Sequence, residues 1–488
     1  MGGQEDIYGA RQGNRLAWGE EAVRDESVAP DGWPKEQRSR RMGKISKWHD
    51  AWAERRESAS SFRPSGRKEG SDYNQHFVDV EAPIKHLNDF DRRAAEIDGC
   101  DPDTRRSIPD PDPGDRFRGA VLAAVVGDAF ERGVAEGVVG ELSWKPALNY
   151  FLAHLGKADP LTEYVFTGSP VGSSSFVQLM SFTVEGLIRA HVARRMNPVD
   201  DDPAPEVQHA YQRWLYLQRD PQGERFPWSQ CGGPFAARTA RPDGWLVESE
   251  ALLEQQALPA ATVRTLEEFA RTGAQRGPSP GASGGSVLPR AALAAVWSNE
   301  AAGAFAAGVA IARLTHGRPD DYLPAGFAAA LLHQQIRDVP FSGCLEAARD
   351  ELLRWPDHER TAQMISAALE LNKEVRSPTM PGRLAATFPG GGADGAEALA
   401  IALYCALASD YVREALLLAV NYAQGRSAVC AISGLIIGAE CGVNAIPSEL
   451  RRVPSLYPLV DELVTDALTE FSPAAPTDAS WTQRYPAW

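Results

Sequence analysis

Ala428–Cys441 reads AVCAISGLIIGAEC, and it is apolar on every side of a helical wheel. A helix with no polar stripe has nothing to turn toward water, so it belongs at the centre of a helical bundle. At 14 residues it falls short of the roughly 18 apolar residues that mark a membrane span, and no other stretch reaches that length. Working outward, Ala396–Val420 reads as one long helix, and Val177–Ala193 (VQLMSFTVEGLIRAHVA) repeats its apolar positions at helical spacing. Ala291–Leu314 and Ala325–Ile336 add two more helices. Phe117, Val121, Leu122, Val125 and Val126 trace a further helix face. Few segments alternate with the period of two that strands require. The expectation is an all-α bundle over residues 114–472, followed by a C-terminal tail at 473–488.

The first 113 residues differ. They are rich in Arg, Glu, Ser, Asp and Pro and lack a sustained apolar period, so they are read as a disordered polar extension. Its last stretch, Pro109–Gly114, is proline-punctuated and is expected to delay the first helix until Asp115. Within the extension, Arg38, Arg40, Arg41, Lys44 and Lys47 form a basic run through which Met42, Ile45, Trp48 and Trp52 recur at helical spacing. This segment, 38–55, reads as an amphipathic hook for a protein partner, an anionic lipid or nucleic acid, or else as a solvated tail resting on the protein's own surface. The whole chain of 488 residues carries a formal charge of −15, which argues against general nucleic-acid binding. The first 30 residues are broken by Asp6, Arg11, Arg15, Glu20 and Glu21, so no signal peptide is read and a cytoplasmic location is expected. The six cysteines show no CxxC pair and read as reduced thiols.

Three loops carry residues with chemistry. Gly281–Ser286 stands immediately before a helix, and such a glycine-rich entry exposes backbone N–H groups that receive phosphate. Asp200, Asp201 and Asp202 precede Pro203 and read as a solvated acidic turn. Ser173–Ser175 has no histidine tied to it by sequence, so no serine-nucleophile arrangement is read.

Several segments together resemble the ADP-ribosylglycohydrolase family, of the dinitrogenase-reductase-activating type. Asp115-Arg116-Phe117-Arg118-Gly119-Ala120 with Gly127-Asp128-Ala129 is similar to its opening motif. Gln178–Ala190 resembles the helix of its first acidic motif, and His209–Gln218 a helix found in many members. Leu314-Thr315-His316-Gly317 with Pro319 resembles its L-T-H-G-x-P turn. Glu397–Leu407 and Ala419-Val420-Asn421 resemble the approach to its second acidic motif, in the same order. The resemblance implies an all-α orthogonal bundle in which carboxylates hold two Mg²⁺ ions. It also implies cleavage of the glycosidic bond between ADP-ribose and a modified residue.

The carboxylates that such chemistry needs are missing. Ser175 and Phe176 stand where the family has its first pair of acids, and Gly425 and Ser427 where it has the second, with Arg426 between them. Of the family's acids Asp128 remains, and Glu136 lies about one place from another. The expectation is therefore a pseudoenzyme with no intact catalytic set and no cofactor, Mg²⁺ returning only if the degeneration reading fails. It would bind an ADP-ribose-like ligand through Gly284, Gly285, Ser286 and Arg426. One alternative is a hydrolase of altered mechanism, drawing on Asp128 and Glu136 with His316 as a third titrating group. Another is a structural or assembly subunit.

Overall fold

The computed structural model describes residues 111–137, 139–141, 164–166, 171–172, 174–198, 201–219, 227–253, 259–274, 283–374, 379, 381–409, 411–422, 427–447 and 450–487. The N-terminal extension with its hook at 38–55 lies outside the described residues, as do Gly425 and Arg426.

The first helix, α1 (Pro113–Ala135), starts two residues earlier than expected. Proline suits a first helical position because the N–H it lacks would have no partner there. Asp112 caps the helix, its Oδ1 accepting from the Asp115 amide at 2.7 Å. Against α1 lies the apolar segment read above, now α11 (Ser427–Cys441), in the most extensive helix contact of the described structure. The helices between them in sequence are α2 (Ser175–Met196), α3 (Ala204–Arg219), α4 (Ala260–Thr272), α5 (Ala301–Arg313) and α6 (Pro319–Gln335). They continue with α7 (Phe341–Leu352), α8 (Glu359–Glu374), α9 (Gly395–Leu407) and α10 (Val412–Tyr422), and α12 (Tyr457–Glu470) follows α11. One antiparallel pair, β1 (Val139–Glu141) on β2 (Tyr164–Phe166), is the only sheet among the described residues. The fold class is all-α.

The α1–α11 contact is a seam of small residues. Gly119 meets Gly438, Ala123 meets Gly434 and Gly127 meets Cys430, so both helices step by four residues and run antiparallel. A Cβ on Gly127 would stand 2.4 Å from the Cys430 carbonyl oxygen, and one on Gly438 would stand 2.3 Å from that of Gly119. The two backbones touch. Around this centre α9 and α10 pack on α11, α8 on α9, and α5 and α7 on α6, while α2 is flanked by α3 and α12.

Two helices expected to be continuous are interrupted. Ala396–Val420 divides into α9 and α10, the first ending at Leu407 and the second beginning at Val412. Ala291–Leu314 divides where Ser298 Oγ accepts the Glu300 amide at 3.1 Å. A side chain offering the backbone such a bond competes with the helical ladder.

Charged groups buried in α2 and α3 tie the bundle together. Arg213 donates to both oxygens of Glu185 at 2.9 and 2.7 Å, and neither side chain reaches solvent. Arg189 donates to Asp243 at 3.2 and 2.7 Å and to the Pro486 carbonyl at 2.8 Å. Burial, then the neighbouring Arg189, pushes the Arg213 pKa down to about 10.

The C-terminal residues fold onto the body. A short helix, Ala479–Arg484, is capped by Asp478, and Tyr485 is buried with its hydroxyl on Asp466 at 2.5 Å. Glu470, fully buried, accepts from Arg195 at 2.7 and 2.9 Å, from Trp481 Nε1 at 2.7 Å, and bonds His191 Nδ1 at 2.7 Å. A hydrogen bond to a buried charge contributes roughly 1.5–3 kcal/mol. Trp481→Phe, which removes the N–H together with part of the indole ring, is thus expected to cost at least about 2 kcal/mol in urea unfolding. A change below about 0.5 kcal/mol would show that the segment is not held through this bond.

Candidate functional site

The start of α2 is set by contacts on both sides. Ser174 caps it, its Oγ accepting from the Val177 amide at 3.1 Å. The approach is pinned where the Val171 amide donates to the Val453 carbonyl at 2.7 Å and the Ser455 amide returns to Val171 at 3.0 Å. Arg132, near the end of α1, donates to the Gly172 carbonyl at 2.6 Å. The first turn that results presents Ser175 and Phe176, both buried.

Asp128 and Glu136 are not brought together. Eight residues of helix separate them, roughly 12 Å along the axis of α1. Asp128 is buried against α11, where it and Glu131 add to the burial that pushes the Cys430 thiol far up. Glu136 is at the exposed end and is paired with Arg132 at 2.9 Å. Two carboxyl groups that cleave a glycosidic bond stand roughly 5–9.5 Å apart on either side of it. His316 is equally unsuited to titrate near neutrality. It is buried, its Nδ1 lies 2.9 Å from Thr315 Oγ1, and burial followed by the Arg290 guanidinium pushes its pKa down to about 3.

The glycine-rich segment sits where three helices begin. Gly284 has φ +125°, a conformation that side chains rarely adopt, and Gly285 opens a short 3₁₀ turn that runs on into the helix Leu288–Ala292. A Cβ on Gly285 would lie 2.5 Å from Ala398 Cβ in α9 and 3.6 Å from Ala428 Cβ in α11. The start of α11, which follows Gly425 and Arg426 in the sequence, is thereby brought to the glycine segment. The side chain of Ser427 lies outside the described residues.

A residue that the sequence reading missed joins these parts. Asp321, in the first turn of α6, is fully buried, and its Oδ1 accepts from the Gly284 and Gly395 amides at 3.1 Å each. Burial pushes its carboxyl pKa up. Nearby, Arg360 pairs with Asp394, with Glu397 at 3.6 Å and with Asp320 at 3.7 Å, while Arg318 pairs with Asp320 at 3.2 Å. Asp394 and Glu397 have backbone work as well: Asp394 caps α9, and Glu397 accepts from the Gly390 and Gly392 amides at 3.3 Å. The acidic turn at 201–202 is structural too, Asp201 pairing with Arg194 and Asp202 accepting from the Ala204 amide.

A family model of ADP-ribosylglycohydrolase matches residues 109–475, three-quarters of the chain. The chain belongs to the ADP-ribosylglycohydrolase family. No curated protein matches it. Solved structures do, among them an ADP-ribosylglycohydrolase-related protein complex at 21% identity and a TM-score of 0.45, covering 74% of this chain and 99% of that one.

For this member of the family the fit of two Mg²⁺ ions can be tested on the donors present. Hard dications take six or more oxygens, with carboxylates to offset the charge. The first turn of α2 offers one hydroxyl and a phenyl ring, and Asp128 lies buried in α1. Among the described residues no three His, Cys, Asp or Glu side chains form a metal-holding group. The described donors of the first motif do not by themselves supply that set.

Proposed function

We propose that this chain is a catalytically degenerate member of its family, one that binds an ADP-ribose-like ligand without Mg²⁺-dependent hydrolysis. What supports the reading is the first turn of α2, where Ser175 and buried Phe176 stand in the stretch that resembles the family's first acidic motif and supply no carboxylate. A phenyl ring donates no oxygen and resists a hydrated ion. In the second motif Arg426 stands between the positions of the two lost acids, and a guanidinium offsets a ligand phosphate with no cation between them. Gly285 and Ser286 supply backbone N–H groups to the same ligand, while the Gly284 amide is taken by Asp321. The protein works in the cytoplasm, and the N-terminal hook recruits a protein partner.

The test is calorimetric titration of ADP-ribose into the full chain, first with Mg²⁺ and then with EDTA. The expected result is one affinity in both buffers and no release of ADP-ribose from a modified protein substrate. Binding that requires Mg²⁺, or hydrolysis that EDTA abolishes, would overturn the degenerate reading.

A further inference from the structure

We propose that Asp321 is the positioning residue of the glycine segment, holding the Gly284 backbone and the start of α9 in one fixed arrangement from beneath. The role in binding rests on the ligand reading above; the role in holding the two amides does not. Three parts of the chain meet at one carboxylate oxygen. Gly284 lies 37 residues before Asp321 and Gly395 lies 74 after it, and both amides point at Oδ1 from 3.1 Å. Each donor is a glycine for a reason. Gly284 holds φ +125°, and a Cβ on Gly395 would stand 2.7 Å from the Asp320 carbonyl oxygen.

Burying a carboxyl group is costly unless its hydrogen bonds are made. A fold that only had to close a turn would manage with a neutral side chain or a water. Here an acid is buried completely, and its Oδ1 gathers two distant amides. Acid in the first turn of α6 is favoured by the helix dipole, which offsets part of that cost. The joint then fixes the path of Gly285 and Ser286, which follow Gly284 directly and lie against α9 and α11. Binding groups on a loop lose affinity when the supporting contacts are loosened by as little as about 1 Å.

The experiment compares the full-length protein with Asp321→Ala and Asp321→Asn. Amide hydrogen exchange and ADP-ribose titration are read on each. In Asp321→Ala the Gly284 and Gly395 amides should exchange about 10-fold faster, with α1 and α11 unchanged, and ADP-ribose should bind about 10-fold more weakly. Asp321→Asn keeps an oxygen acceptor in place and should restore both readouts to within about 3-fold of the parent. Asp321→Ser, too short to reach either amide, repeats the test if the alanine form does not fold. Unchanged exchange at Gly284 and Gly395 would overturn the proposal. Faster exchange with unchanged affinity would overturn its role in binding. If the parent protein itself does not bind ADP-ribose, the ligand reading has failed, and the exchange data alone decide whether Asp321 holds the turn.

Discussion

Gly434→Ala is expected to destabilise the protein by about 3 kcal/mol, although alanine is the better helix former. The two effects have opposite signs and unequal size. In a helix interior alanine gains roughly 1 kcal/mol over glycine. Against this, the new Cβ would stand 2.2 Å from the Ala123 carbonyl oxygen and 2.6 Å from its carbon. Real Cβ atoms do not approach that closely, so α1 and α11 must separate. Those helices are backbone against backbone, and moving them apart opens the seam at Gly119, Gly127 and Gly438 as well. Gly382 is the control. It is exposed, in the short helix Pro381–Thr387, and a Cβ there meets nothing within 4 Å. Gly382→Ala should therefore be neutral or stabilising by up to about 1 kcal/mol. Urea unfolding of the two variants checks the pair. Equal behaviour would mean that the seam is not a close backbone contact.

This seam shows what could be read in the sequence and what could not. The absence of a polar stripe in Ala428–Cys441 places it at the centre, where α11 is found. The partner was legible in principle, because Gly119, Ala123 and Gly127 repeat every four residues, as do Cys430, Gly434 and Gly438. Apolar periodicity weighs large residues and passes over small ones, so that signal is lost in an alanine-rich chain. Buried charge is harder still. Glu185, Arg189 and Arg213 look like the polar faces of half-exposed helices, and Asp243, which pairs with both arginines, arrives from a loop 54 residues beyond Arg189. Nothing local announces it. The candidate site divides in the same way: Phe176 and the glycines could be picked out by type and order, whereas Asp321 could not. An acid in a first helical turn ordinarily complements the dipole at the surface. Only the return of the chain at Gly395 buries it.

Acid should unfold this protein through its histidines. His316 and His333 are both buried, and their pKa values are pushed down to about 3 and about 4. Burial is the main cause in each, with Arg290 beside His316 and Arg337 beside His333 adding to it. His209, stacked on Phe235 at 4.4 Å and close to Arg213 and Arg189, is shifted the same way and further. In the unfolded chain each would titrate near 6.5. Below that value the unfolded state takes up protons that the folded state refuses, so the stability present above pH 6.5 is lost as pH falls toward the folded values. The slope is about 1.4 kcal/mol per pH unit for each group. Between pH 6.5 and 5, His316 and His333 together should remove about 3 kcal/mol, and His209 adds to the loss. Asp243, whose pKa is lowered because its pairing with Arg189 and Arg213 outweighs its burial, acts in the same direction only at lower pH. The window above pH 5 therefore belongs to the histidines. Urea unfolding at pH 7, 6 and 5 measures the slope, and His333→Gln should flatten it by one proton. A free energy of unfolding that stays level from pH 7 to 5 would mean that these imidazoles are charged, or reach water, in the folded protein.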